Sequence, residues 1–396
     1  MLIGLTGKPS VGKSTFFKAA TLAEIEINSR PFTTIKSSEG VAYVKIKCVD
    51  TEFGVQCNPK EGFCIKGNRF LPIKLMDVPG LIHGSHQGKG MGNRFLDDLR
   101  QADAFIHVID ISGSTNEKGE FVKPLTYDPI KDIEMIENEI DMWYYQILKK
   151  GWEKFARTVK QENLDIKKAL AKQLSGLKVT EDDVQEIIKE LKLLHHPVEW
   201  SEDDLKELAS RLRKKTKPMI IIANKIDVEG ALYNLDRVQK KFKDYKIVPC
   251  SAESELALRE AAKHKLIEYA PGDSDFNIIG KLNDKQKNGL DFVKENILKK
   301  FKTTGVQDVL NYAVFDLLNY IAVFPGGVNK LMDSEGNIIP DCFLMPAGTT
   351  ALEFAYRLHT DIGDNFIKAV DVKTKKPVGK EHILKNRDVI EIMVKK

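Results

Sequence analysis

The chain has no uninterrupted apolar run approaching the roughly 20 residues that a bilayer-crossing helix requires, which excludes a helical membrane protein. It also has no block of five or six like charges, and its formal net charge is only +4 over 396 residues. Polybasic arms and acidic tails are therefore excluded. A DNA-binding role has no electrostatic signature here, while an RNA partner stays compatible with the mildly basic balance. Met1 runs straight into the apolar Leu2, Ile3 and Leu5 with no leader pattern, so a cytoplasmic location is expected. Cysteine is scarce: five in all, with no C-x-x-C pair. Cys48, Cys57 and Cys64 are grouped, and three readings stay open for them. They are plain thiols, or Cys57 and Cys64 pair across the turn at 58–62, or they belong to a zinc site whose fourth ligand is not evident.

What is present begins at the first residues. Leu2 to Leu5 reads as a buried strand, and Gly7-Lys8-Pro9-Ser10-Val11-Gly12-Lys13-Ser14 fits G-x-x-x-x-G-K-S/T. Thr15 to Ala20 then reads as the first turns of a helix. Strand, glycine loop and helix N-terminus in that order form the context of a phosphate-binding loop. Its backbone from Gly7 to Thr15, which carries an N–H at every residue but Pro9, is expected to cradle phosphate oxygens. Lys13 is expected to reach the outer phosphates and Ser14 to ligate Mg²⁺.

Further motifs follow in order. Arg30-Pro31-Phe32-Thr33-Thr34-Ile35 lies where a switch loop is expected, and Thr34 is favoured over Thr33 as a Mg²⁺ ligand. The strand at 69–76 delivers Asp77-Val78-Pro79-Gly80, a D-x-x-G in which Asp77 holds Mg²⁺ and the Gly80 N–H meets the terminal phosphate. The next residue is Leu81, where many GTPases carry a water-orienting glutamine. A leucine cannot polarise water, so no catalytic residue is assigned. Gly84, Gly88, Gly90 and Gly92 suggest a mobile loop, and His83 and His86 within it read as solvated. His107, inside the apolar run 104–110, reads as a hydrogen-bonded strand histidine.

The apolar strand 218–223 ends in Asn224-Lys225-Ile226-Asp227. In this N-K-x-D, Asp227 would accept from the N1–H and 2-amino groups of guanine, while adenine would present it with an unpaired acceptor. Asn224 would brace the loop and the Lys225 stem would lie along the base. Cys250-Ser251-Ala252 follows a short strand and would offer the Ala252 N–H to guanine O6.

Between the D-x-x-G and the N-K-x-D, residues 128–215 change character. Ile130, Ile133, Ile136, Ile140, Trp143, Ile147 and Leu148 recur at helical spacing, with further helical patterns at 169–174, 181–194 and 203–212. Thr180 with Asp183, and Ser201 with Asp204, read as helix caps. A coiled helical hairpin is expected, with its apolar stripes packing on themselves.

The four motifs, together with Gly90-Met91-Gly92-Asn93-Arg94-Phe95-Leu96, resemble the Obg-related, translation-factor-class GTPases, most closely the YchF-type branch in its archaeal form. Leu344-Met345-Pro346-Ala347-Gly348-Thr349-Thr350 followed by a helix resembles a TGS domain. The resemblance implies an α/β fold in several parts. A P-loop G domain with a mostly parallel sheet would occupy 1–127 and 216–275, and a helical insertion 128–215. A connecting segment would cover 276–319 and a ubiquitin-like α+β TGS domain 320–396. It implies GTP or GDP with Mg²⁺ as ligands, slow hydrolysis, and binding to the ribosome or a ribosomal subunit. RNA contact would run through the TGS domain, where two readings stay open for Lys373, Lys375, Lys376, Lys380, Lys385 and Arg387: a basic face or a solvated edge. The chain departs from relatives in three places. It keeps an intact N-K-x-D where many ATP-using relatives do not. Ser10 stands where an asparagine helps hold K⁺, leaving K⁺ dependence open. Residues 111–129 contain no histidine where bacterial relatives have a candidate catalytic one. A nucleotide-dependent phosphotransferase and an RNA-binding scaffold with a structural nucleotide are the competing expectations.

Overall fold

The computed structural model of the protein describes residues 1–21, 38–85, 98–193 and 196–395. By contact the chain forms two compact units: Met1–Gly40 with Lys74–Val309, and Val41–Ile73 with Leu310–Lys396. The first strands in chain order are β1 (Leu2–Thr6), β2 (Ser38–Lys47), β3 (Phe63–Ile65), β4 (Asn68–Asp77), β5 (Ala104–Asp110), β6 (Met219–Asn224) and β7 (Ile247–Pro249).

In the first unit the end of β4 and strands β1, β5, β6 and β7 lie side by side in that order, all parallel. β5 and β6 are buried along their whole length. A parallel sheet is covered on both faces, which is why these strands read as unbroken apolar runs rather than alternating ones. Leu5 lies opposite Asp77, Thr6 opposite His107 and Asp110 opposite Asn224. The register thus brings the carboxyl ends of four strands level, the edge at which open α/β sheets hold ligands. Helix α1 (Lys13–Thr21) follows β1 after the loop at 7–12. A small hairpin, β8 (Ile267–Glu268) with β9 (Asn277–Ile278), lies later in the same unit.

The helical region contains helices at Ile130–Lys149, Trp152–Gln161, Ile166–Gln173, Glu181–Glu190 and Glu202–Thr216. Both expected caps form as reciprocal capping boxes, Thr180 with Asp183 and Ser201 with Asp204. The first and last of these helices are pinned by Asp141, whose carboxylate accepts from Arg213 Nε at 2.6 Å and Ser210 Oγ at 2.7 Å. The expectation of self-packing holds in part, since Leu170, Val184 and Ile187 of the inserted helices share one core, but that core does not stop at the insertion. Ile136, Ile140, Trp143, Leu208 and Leu212 form one continuous core with Met76, Val78, Leu81, Leu99 and Phe105. The inserted helices thus bury part of their apolar stripes against the sheet's own elements.

In the second unit, β10 (Tyr320–Pro325), β11 (Phe343–Pro346), β12 (Phe366–Asp371), β13 (Lys376–Val378) and β14 (Val389–Val394) form a sheet in the order β11-β10-β14-β12-β13. The pair β10–β14 is parallel and the rest antiparallel. Helix Ala351–Leu358, capped by Thr350 with Glu353, packs Phe354 into a core with Val323, Ala369 and Ile390. Residues 41–73 cluster with this unit rather than with the nucleotide-motif unit. Here β3 and β4 make an antiparallel hairpin with Cys64 opposite Arg69. The buried Arg69 guanidinium donates to the carbonyls of Ile339 at 3.1 Å and Pro340 at 2.6 Å. The Asn58 and Lys60 N–H groups donate to Ile338 and Pro340. Of the six basic residues in the proposed face, Arg387 and Lys373 are both paired with Glu52.

Candidate nucleotide-binding site

The loop after β1 is shaped by backbone that side chains would obstruct. Gly12 sits at φ 99°, and a Cβ there would lie 2.2 Å from Asn224 Nδ2. Gly80 approaches so closely that its Cβ would fall 2.6 Å from the Pro9 nitrogen. The D-x-x-G segment is folded onto the phosphate loop, with Leu81 N–H donating to Gly7 O at 3.0 Å.

Lys13 Nζ donates to Lys8 O at 2.7 Å, curling the side chain over the loop. Burial pulls its pKa down to about 8, opposed by the Asp77 charge. Ser14 Oγ donates to Asp77 Oδ2 at 2.8 Å. Asp77 is buried, and its Oδ1 has no hydrogen-bond partner. Burial raises the Asp77 pKa, against the pull of Lys13 and Ser14. A hydroxyl and a half-satisfied carboxylate side by side are hard oxygen donors of the kind Mg²⁺ accepts, so the residues present fit that ion.

Asn224 ties two loops together. Its Nδ2 donates to Val11 O at 2.8 Å, and its Oδ1 accepts from Ala252 N–H at 3.1 Å. The Ala252 N–H expected at guanine O6 is therefore engaged by Asn224 in this structure. Ser251 caps the following helix, Ala252–Lys263, by accepting from Ser254 N–H. Asp227 is half-buried, and its carboxylate has no hydrogen bond or ion pair among the described residues. Lys225, at φ 62°, places Nζ 2.9 Å from Asp110 Oδ2.

Two features of this region were not anticipated from sequence. Asp110, at the end of β5, collects Ser112, Ser114, Thr115 and Lys225 around its buried carboxylate. The signal was a strand-final Asp followed by a Ser/Thr-rich turn. The second is Lys8, whose fully buried side chain pairs with Asp132 at 2.9 Å and donates to Thr115 O at 2.8 Å. Its amine is thus committed elsewhere, leaving only its backbone for the phosphate loop.

Leu81, read as a switch residue, has its side chain wholly inside the core with Val78, Leu99 and Phe105. His83 is exposed, as expected, with Nδ1 3.7 Å from Glu139. It borders a cleft of about 540 Å³ shared with Ile82, Tyr127, Lys131 and Met135. His107 is corrected: it is buried in β5, yet neither ring nitrogen has a partner. Burial and then the charges of Lys13 and Lys8 push its pKa down to about 3. Thr33, Thr34, His86 and the glycines at 88, 90 and 92 lie outside the described residues. Among the described residues no helix is long and apolar enough to cross a membrane.

Three family models match the chain: a 50S ribosome-binding GTPase over residues 2–144, an Obg-like GTPase YGR210-like, G4 motif-containing domain over 222–327, and a TGS domain over 332–394. A GTP-binding protein of Methanocaldococcus jannaschii is 48% identical over 395 residues, spanning 99% of this chain and 98% of that protein. The crystal structure of a GTP binding protein from Pyrococcus horikoshii OT3 superposes with a TM-score of 0.79 at 39% identity, covering 100% of both chains. A protein of Buchnera aphidicola named ribosome-binding ATPase YchF is 26% identical over 373 residues, 93% of this chain and 88% of that protein.

Proposed function

Because the chain belongs to the Obg-like, YchF-type GTPases, we propose that it is a guanine-selective nucleotide switch that hydrolyses GTP slowly and acts on the ribosome or a ribosomal subunit. The backbone from Gly7 to Thr15 would hold the phosphates, with Lys13 on the outer two and the Gly80 N–H on the last. Ser14 and Asp77, with Thr34, would hold Mg²⁺, which supplies charge neutralisation to the phosphates. Asn224 would keep the base-reading loop against the phosphate loop. Lys225 would lie along the base, and Asp227 would read it beside Ser251 and Ala252.

The observation that carries this reading is the Asp227 carboxylate, half-buried and free of any partner among the described residues. An unpaired carboxylate three residues after Asn224, which holds the phosphate loop, is suited to a ligand bearing two adjacent N–H donors, which guanine has and adenine lacks. Slow turnover follows from the placement of Leu81, whose side chain lies in the core, so this position offers the attacking water no polar group. A rate of about 10⁻⁴ to 10⁻² s⁻¹ is expected without a partner. The ribosomal partner rests on the matched ribosome-binding GTPase model and on the name of the Buchnera relative. Because that relative is named an ATPase, nucleotide choice is the deciding measurement. By calorimetry GTP and GDP should bind at least tenfold more tightly than ATP, about 1.4 kcal/mol or more. Asp227→Asn should shift preference toward xanthine nucleotides. Equal affinity for ATP and GTP would refute the guanine assignment, and ribosome co-sedimentation in GTP, GDP and no nucleotide tests the partner.

A further inference from the structure

The three cysteines left open by the sequence come together with Asp50 in the second unit. Cys48 lies just past β2, Asp50 opens the single-turn helix Asp50–Phe53, Cys57 follows it, and Cys64 is the middle residue of β3. One ligand atom from each of these residues lies within 4.8 Å of all the others. Cys48, Asp50 and Cys57 are buried and Cys64 is partly buried. We propose that Cys48, Asp50, Cys57 and Cys64 form a closed, tetrahedral site for a structural divalent metal ion, zinc by preference.

The distances fit that geometry. Cys48 Sγ and Cys57 Sγ are 3.7 Å apart. Two sulfurs at about 2.3 Å from a tetrahedral zinc ion stand about 3.8 Å from each other. Cys64 Sγ lies 3.6 Å from Asp50 Oδ2. A sulfur at about 2.3 Å and a carboxylate oxygen at about 2.1 Å span about 3.6 Å across the same tetrahedron. A disulfide needs sulfurs at about 2.05 Å, and every cysteine of the chain is a free thiol.

An independent observation comes from Asp50. It is 2% exposed, and its Oδ1 has no hydrogen-bond partner. Its Oδ2 accepts only long contacts, from the Cys57 N–H at 3.4 Å and the Cys64 thiol. A buried carboxylate normally has close partners, and a cation at the thiol cluster would supply one here. Three thiolates in a tetrahedral set select zinc or iron over hard ions such as Mg²⁺ or Ca²⁺. Four protein ligands leave no open position, so the role is to fasten the 48–64 segment rather than to catalyse.

The test uses the full-length chain, purified without chelator and without added metal, with metal content read by plasma mass spectrometry. About one zinc per chain is expected. The chain stripped of metal and titrated with Co²⁺ should show sulfur-to-cobalt charge transfer and the intense visible bands of tetrahedral cobalt. This readout needs no variant that could misfold. Cys57→Ser with Cys64→Ser should abolish both signals, and Asp50→Asn should weaken binding at least tenfold. A chain that purifies metal-free and gives only the faint octahedral cobalt spectrum would overturn the proposal. So would a Cys57–Cys64 disulfide in the non-reduced mass, or undiminished metal in either variant.

Discussion

His107 is a neutral imidazole placed where protonation has no outlet. Its pKa falls from the ordinary 6.5 to about 3, through burial first and the neighbouring lysine charges second. Between those values the unfolded chain binds a proton that the native chain refuses. Stability contributed by the neutral ring is therefore complete above pH 6.5 and is lost as pH falls toward 3, at about 1.4 kcal/mol per pH unit. Buried Asp132 acts in the opposite sense, since burial lifts its pKa to about 6 and acid favours its folded form. The histidine is isolated by comparing the chain with His107→Leu. Denaturant melts at pH 4 to 7 should show the variant gaining on the parent as pH falls, and parallel curves would refute the assignment. At neutral pH the variant should be no less stable, because leucine removes two buried nitrogens that lack partners.

At the scale of elements, the start of the segment after β4 is anchored on the phosphate loop. Leu81 N–H holds Gly7 O while its side chain fills the core beneath. Leu81→Ala should cost about 2–5 kcal/mol in urea melts while leaving turnover per folded molecule unchanged. Leu81→Gln should not accelerate hydrolysis, since the amide would be drawn into an apolar core; a rate increase would show that the side chain faces the phosphates. The phosphate loop, D-x-x-G and N-K-x-D were legible because each is a short pattern fixed by backbone geometry at a strand end. The caps at Thr180 and Ser201 were legible for the same reason. Helix Trp152–Gln161 was readable in principle from Trp152, Phe155, Ala156 and Val159 at helical spacing. The Asp110–Lys225 pair was not, because it joins residues far apart in sequence whose types are common everywhere. Asp50 escaped as a ligand for a like reason: a carboxylate beside a cysteine is unremarkable until the fold closes the loop.

For the whole molecule, the division of the chain into units does not follow its linear order, since 41–73 belong with 310–396. Arg69 is central to that union, donating to Ile339 and Pro340 from a fully buried position. Arg69→Met should cost about 1–3 kcal/mol, chiefly through the Ile339 carbonyl it leaves unpaired, since Pro340 O keeps the Lys60 N–H. Hydrogen exchange should then quicken at the Asn58 and Lys60 amides, while nucleotide affinity stays within twofold. Unchanged exchange would show that these contacts do not hold the segment. A chain cut at Asn319 is a poor probe of the C-terminal domain alone, because it also strips the cover from 41–73. The same arrangement has a consequence in time. Synthesis delivers residues 41–73 more than two hundred residues before the strands they pack on, a wait on the order of tens of seconds at about 5–20 residues per second. Through that interval the nascent chain carries Cys48, Cys57 and Cys64 without their final neighbours, so an early-bound ion would act as a placeholder, keeping the segment folded and its sulfurs unoxidised until the C-terminus emerges.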